Sequence, residues 1–194
     1  AYFMELSLQD AKLFVNPEAP AIQGEALETL VQAYQNLIDR LDRSKRKYPV
    51  EITHGLIRAP KLVPEDLTNE AHIHAWCETL VGILGDNPGS TPTVDAVWDE
   101  ERQIFVPNIS ILLKGNRERV ALSQNFLAGP EYRAISEMID LLDDLVEENA
   151  FIQRGERKQV ITYFGQAFIW LQSEARRGVD LQRYKGLGEM NPEQ

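Results

Sequence analysis

Residues 93–123, TVDAVWDEERQIFVPNISILLKGNRERVALS, decide the fold class. Three runs within them, Thr93 to Trp98, Gln103 to Leu113 and Arg117 to Ser123, are rich in the β-branched and aromatic residues that fit a pleated surface. The polar stretches DEER and KGNR supply turns, so the spacing predicts a three-stranded antiparallel meander. Pro107 interrupts the middle run. Lacking a ladder donor, it is expected at a bulge or an unpaired edge position.

Away from the meander the apolar period changes. From Glu25 to Asp42, Leu27, Leu30, Val31, Tyr34, Leu37, Ile38 and Leu41 recur at three and four, the stripe of an amphipathic helix. Arg40, Arg43, Lys45, Arg46 and Lys47 follow before Pro49 and complement the negative end of that helix dipole. A short helical turn is expected near Pro64. A helix follows from about Asn69, with Ile73, Trp76, Cys77, Leu80, Val81 and Leu84 on one side, ended by Gly85 and Pro88. Gly129 and Pro130 open another, with Ile135, Met138, Ile139, Leu142 and Leu145 along one stripe. A last helix, roughly Tyr163 to Arg177, turns Phe164, Ala167, Phe168 and Leu171 inward and is expected to end at Gly178 as its C-cap. At the other end, Tyr2, Met4, Leu6 and Leu8 alternate, Gln9 to Ala11 turn, and Leu13 and Val15 resume, the pattern of a β-hairpin. The expected fold is therefore α+β: a small antiparallel sheet, comprising the N-terminal hairpin and the meander, covered by about four main helices.

A chain of 194 residues, 43% of them hydrophobic, can bury one substantial core. Its formal net charge of -10 argues against indiscriminate binding to nucleic acid or anionic membrane. The charge is uneven, however: residues 151–194 hold seven Lys/Arg and five Asp/Glu, a net +2, which leaves -12 for residues 1–150. Cys77 alone cannot form an internal disulfide, which fits a reducing compartment, and the cytoplasm is the expected location. No apolar run approaches the roughly 20 residues of a membrane helix. The start AYFMELSLQD lacks both a signal-peptide pattern and an initiator Met, and with the abrupt finish in NPEQ this leads to the expectation of a piece of a longer protein.

Few residues suggest chemistry. His72, His74, Cys77 and Glu78 have metal-ligand types, but on a helix they diverge, with Cys77 on the apolar stripe and His74 and Glu78 on a polar face; no metal site is expected. Asp143, Asp144, Glu147 and Glu148 read as a solvated helical face rather than a magnesium cluster. No G-x-S-x-G stretch supports nucleophilic catalysis. Two basic segments remain. Lys45, Arg46 and Lys47 in RLDRSKRKYP are candidates for phosphate contact, although a basic helix end is common. In QRYKGLGEM, Gly186 and Gly188 permit tight turns, Arg183 and Lys185 can reach phosphates, and Tyr184 can pack or stack.

The wording QRYKGLGEMNPEQ, residues 182–194, is more specific than its spacing. It resembles the segment near the end of the TOPRIM domain in the B subunits of bacterial type IIA topoisomerases. APAIQGEALETLV, AGPEYRAI, EENAFIQRGERKQ and ARRGVDLQRYKGLGEM resemble the long insertion that interrupts TOPRIM in the gyrase-type B subunit of many Gram-negative bacteria. The resemblance implies that residues 1–178 are that insertion with its entry hairpin, and residues 179–194 the resumed, truncated TOPRIM segment. It implies an ATP-dependent topoisomerase as the whole enzyme, negatively supercoiling double-stranded DNA with Mg2+, in partnership with the gyrase A subunit and the remainder of gyrase B. The family's E-G-D-S-A segment, D-x-D magnesium pair and ATP-binding segment do not occur here, so no catalytic residue and no cofactor is expected within this chain. The insertion is expected to brace domains and shape the DNA path, with its two ends, near YFMELSL and VDLQRY, close in space. The alternatives are direct binding to the DNA backbone or a free-standing protein-interaction domain. Arg183, Lys185, Gly186 and Gly188 are the expected DNA-proximal residues, and Lys45, Arg46 and Lys47 the weaker phosphate-contact set.

Overall fold

The meander forms in the computed structural model, which describes residues 8–188 of the chain. β3 (Thr93–Asp99), β4 (Ile104–Leu113) and β5 (Asn116–Ala121) pair antiparallel in that order. Pro107 is placed differently from expectation: it lies in the central strand, in register opposite Ala96. Its carbonyl accepts from Leu122 N at 2.8 Å, on the β5 side and just past the end of β5. A residue's N and C=O point to the same side of a strand, so the missing donor faces the place where pairing runs out, and the Ala96 pairing needs none.

The fold is α+β, as the sequence indicates, but its strands form two small antiparallel sheets rather than one. The chain divides into two compact units: one of the residues up to Tyr34 with those from Leu142 onward, the other of Gln35–Leu141. Helix α1 (Glu25–Asp42) passes from one to the other.

In the second unit the meander packs on α3 (Glu70–Leu84), which buries Ile73, Trp76, Cys77, Leu80 and Leu84. Asn69 caps α3 by accepting from His72 N at 3.1 Å. Two further elements were not legible as helices: α2 (Val50–Arg58) and α4 (Gln124–Ala128), the latter capped by Ser123. α2 lies so close to α3 that a Cβ on Gly55 would stand 2.7 Å from Leu84 Cδ2. Glycine is what permits this approach. α5 (Pro130–Leu142) buries Tyr132, Ile135 and Met138, and Leu62 N donates to the Tyr132 hydroxyl at 2.8 Å.

In the first unit the sheet order is β2–β1–β6–β7. Most of the first arm of the expected N-terminal hairpin falls outside the described residues. β1 (Ala11–Phe14) has one edge taken by β2 (Ile22–Gln23) and the other by β6 (Phe151–Arg154), and Tyr2, Met4 and Leu6 lie outside the described residues. β6 and β7 (Arg157–Val160) form a hairpin closed by Arg154 opposite Arg157, with Gly155 at φ 61° as the first of two loop residues. Tyr34 packs on Phe164 and Phe168, at ring-centroid distances of 5.4 and 4.8 Å. Glu174, only 3% exposed, accepts from Arg157 Nε at 2.7 Å and from Arg154 Nη1 at 3.4 Å.

The last helix, α6, runs Phe164–Gly188 and does not stop at Gly178. Glycine within a helix costs about 1 kcal/mol relative to alanine, too little by itself to end a helix in which the good formers Glu174 to Arg177 precede it and Leu181 to Arg183 follow. Apart from the adjoining helix backbone, nothing described lies within 4 Å of a Cβ placed on Gly178 or Gly186.

Candidate functional site

The two basic segments singled out by sequence have different fates. Arg183, Lys185 and Gly186 lie on α6, as does Gly188 at its end, so the KGLG stretch is helix here rather than a phosphate-cradling loop. Residues two apart on a helix project to nearly opposite sides, and Arg183 and Lys185 therefore do not converge on one anion. Tyr184 between them is exposed.

Lys45 and Arg46 do converge. After α1 the chain folds back: Ser44 N and Tyr48 N both donate to Leu41 O, at 3.3 and 3.1 Å, and Ser44 Oγ joins them at 2.8 Å. Lys47 N donates to Ser44 O at 3.0 Å and Lys47 adopts φ 46°, closing a turn whose two central residues are Lys45 and Arg46. The reason for the fold-back is apolar. Tyr48 is buried, its ring 4.8 Å from Phe126, which in turn lies 5.5 Å from Tyr132.

The result is a cleft of about 200 Å³ lined by Ser44, Lys45, Arg46, Tyr48, Asn125, Phe126 and Glu131. Lys47 is not part of its lining. Burial raises the Tyr48 hydroxyl above its ordinary pKa, against the pull of Arg46 beside it, while Glu131 pushes the same way as burial. Among the described residues neither Lys45 nor Arg46 takes part in an ion pair. Sequence reading found the two cations but not Asn125, Phe126 or Glu131, which reach the cleft from α4 and α5. The Ser123 cap, at the right spacing before Phe126, is the only local signal that helix α4 exists there.

The other residues weighed for chemistry are dispersed. Cys77 is buried, and burial with Asp95 nearby pushes its thiol up to about 11. His72 and His74 are half-exposed and face Asp66 and Glu70 at 3.8 and 3.7 Å. His54, on α2, is held down to about 4 by burial and by Arg58.

The family model described as the DNA gyrase B subunit insert domain matches residues 11–175. The chain belongs to this family. The insert domain's matched interval takes in the cleft and both sheets, and it ends before Arg183 and Lys185. The DNA gyrase B subunit of Caulobacter vibrioides (strain NA1000 / CB15N) is 28% identical over 125 residues, 59% of this chain and 16% of that protein. The type 2 topoisomerase B subunit of Aquifex aeolicus (strain VF5) is 26% identical over 200 aligned positions, covering 100% of this chain and 23% of that protein. The chain thus spans less than a quarter of the length of the curated relatives it matches. No helix among the described residues is long and apolar enough to cross a membrane.

Proposed function

We propose that this chain is a non-catalytic insertion in a gyrase-type B subunit, bracing neighbouring domains and shaping the path of DNA. The observation that carries the reading is the family match across residues 11–175, joined at the C-terminal side by the YKGLGEMNP wording that resembles resumed TOPRIM. In this reading residues 1–178 are the insertion and residues 179–194 the resumed segment. The whole enzyme is an ATP-dependent, Mg2+-requiring topoisomerase of the cytoplasm that negatively supercoils double-stranded DNA together with an A subunit. Arg183, Lys185, Gly186 and Gly188 belong to the DNA-proximal segment.

Two features support a brace. The segments on either side of residues 35–141 fold into the same unit, so the chain enters and leaves through one body. The proposed boundary after residue 178 falls inside α6, so insertion and resumed segment share one continuous helix. Phosphoryl chemistry elsewhere in the enzyme needs its ligands held in register, and a shared helix is a stiff way of holding it.

The test uses the full-length enzyme with residues 9–178 replaced by a short turn. Supercoiling and DNA affinity fall while ATP-independent DNA cleavage survives if the insertion organises DNA and domains. Unchanged supercoiling and affinity would overturn the reading.

A further inference from the structure

We infer that the cleft beside the Ser44–Lys47 turn is a receptor for a single phosphoryl group. The inference goes beyond the brace. It depends on that reading only for the source of the phosphoryl group.

The donors at the cleft are chemically varied. Lys45 contributes an ammonium, Arg46 a planar fork and Asn125 a carboxamide, from two elements that are 79 positions apart in sequence, while the Ser44 hydroxyl already donates to Leu41 O. A carboxylate would be satisfied by the Arg46 fork alone, whereas a tetrahedral oxyanion presents several oxygens that need donors around it. Size points the same way. At about 200 Å³ the cleft is smaller than the roughly 300–1,000 Å³ typical of sites for whole organic ligands, and suits one charged group with a few waters.

The turn is set before any ligand arrives, because three bonds converge on Leu41 O and a fourth closes Lys47 onto Ser44. Binding then orders side chains without reorganising backbone, which lowers its entropic cost. Neither cation is committed to an ion pair among the described residues, and Arg46 is held at the cleft by a hydrogen bond to the Tyr48 side chain. Tyr48 and Phe126 form an apolar floor that keeps the cations from being solvated on all sides.

Glu131 is the opposing element. It places one negative charge on the wall against two positive ones, so the net attraction is that of a single charge and the affinity is weak. Glu131 therefore sets how tightly the site holds an anion. Removing its charge should strengthen binding, an effect that loss of folding cannot imitate.

The experiment is a titration of the full 194-residue chain with inorganic phosphate at constant ionic strength and pH 7, followed by 1H–15N NMR. The expected result is saturable, millimolar shifts at the Ser44–Tyr48 amides and the Asn125 side chain. Arg46→Ala should abolish the shifts, and Glu131→Gln should tighten binding about fivefold. Shifts that stay linear with concentration, that appear equally at Arg102 and Arg117, or that ignore Glu131→Gln overturn the inference. A 12-base-pair duplex then assigns the source. Shifts at the same residues whose binding constant falls with salt at a log–log slope of about -0.9, as one phosphate contact requires, identify a backbone phosphodiester. A duplex that leaves them unmoved, with phosphate still bound, identifies a small phosphate; both results keep the site.

Discussion

Two pairs of basic residues, one in each unit, are treated in opposite ways. Arg154 and Arg157 close the β6–β7 hairpin on Glu174, a carboxylate only 3% exposed, so their charge is answered inside the unit. Lys45 and Arg46 stand at the centre of an exposed turn, and the one acid on their cleft, Glu131, is not ion-paired to either. The first arrangement holds a strand pair to a helix. The second leaves charge available to something else. His54 follows the same logic by a third route: it is half-buried, and that partial burial with Arg58 nearby keeps it uncharged. The buried carboxylate here is matched, and unmatched cations are found where water can reach them.

The sharpest way to break this contrast is Glu174→Ala. Deleting one partner of a buried ion pair costs about 3–5 kcal/mol; with the Arg157 side chain 48% exposed and able to rehydrate, roughly 3 kcal/mol is expected. Urea unfolding of the variant against the parent chain measures it, and a loss under 1 kcal/mol would mean that the triad is ornamental. Acid tests the neutral histidine next. Its folded pKa, about 4, lies below the unfolded value of about 6.5, so the unfolded state binds the proton first. Stability from this group is complete above pH 6.5 and is lost as pH falls toward 4. About 1.4 kcal/mol per unit implies a loss of roughly 2–3 kcal/mol, absent in His54→Gln over the same window.

Smaller effects sharpen the comparison. Gly178→Ala should stabilise the chain by up to about 1 kcal/mol and raise helicity by circular dichroism, since φ is helical and the site has room. Destabilisation would restore the glycine as a helix end. Lys45→Ala and Arg46→Ala should each change unfolding free energy by no more than ~0.5 kcal/mol, because neither side chain is buried or ion-paired. A larger loss would make this pair structural after all, and would erase the distinction from Arg154 and Arg157.

The long amphipathic stripes and the meander were legible because a half-buried helix or strand writes its period into the sequence. The stripes from Leu27 to Leu41 and from Ile73 to Leu84 are buried as their spacing requires, except for the half-buried Leu30 and Val81. The β6–β7 hairpin escaped because β7, RKQV, is exposed at all four positions and so has no alternation to show. Gly155 was the available sign. α2 and α4 were too short, at nine and five residues, for a period to develop. Gly178 misled because glycine marks a helix end only when the chain must turn there. At the cleft, sequence supplied the cations of one turn. It could not supply Asn125 and Glu131, which tertiary packing of Tyr48 on Phe126 brings to them.

The unbroken course of α6 has a mechanical consequence. Beyond Glu174, where Arg154 and Arg157 grip it, the helix continues for about 14 residues, or roughly 21 Å at 1.5 Å per residue. Such a rod is a cantilever. A tilt of about 5° at the clamp carries its far end through about 2 Å on that length, so the hairpin's grip on one carboxylate governs where the end of the helix points.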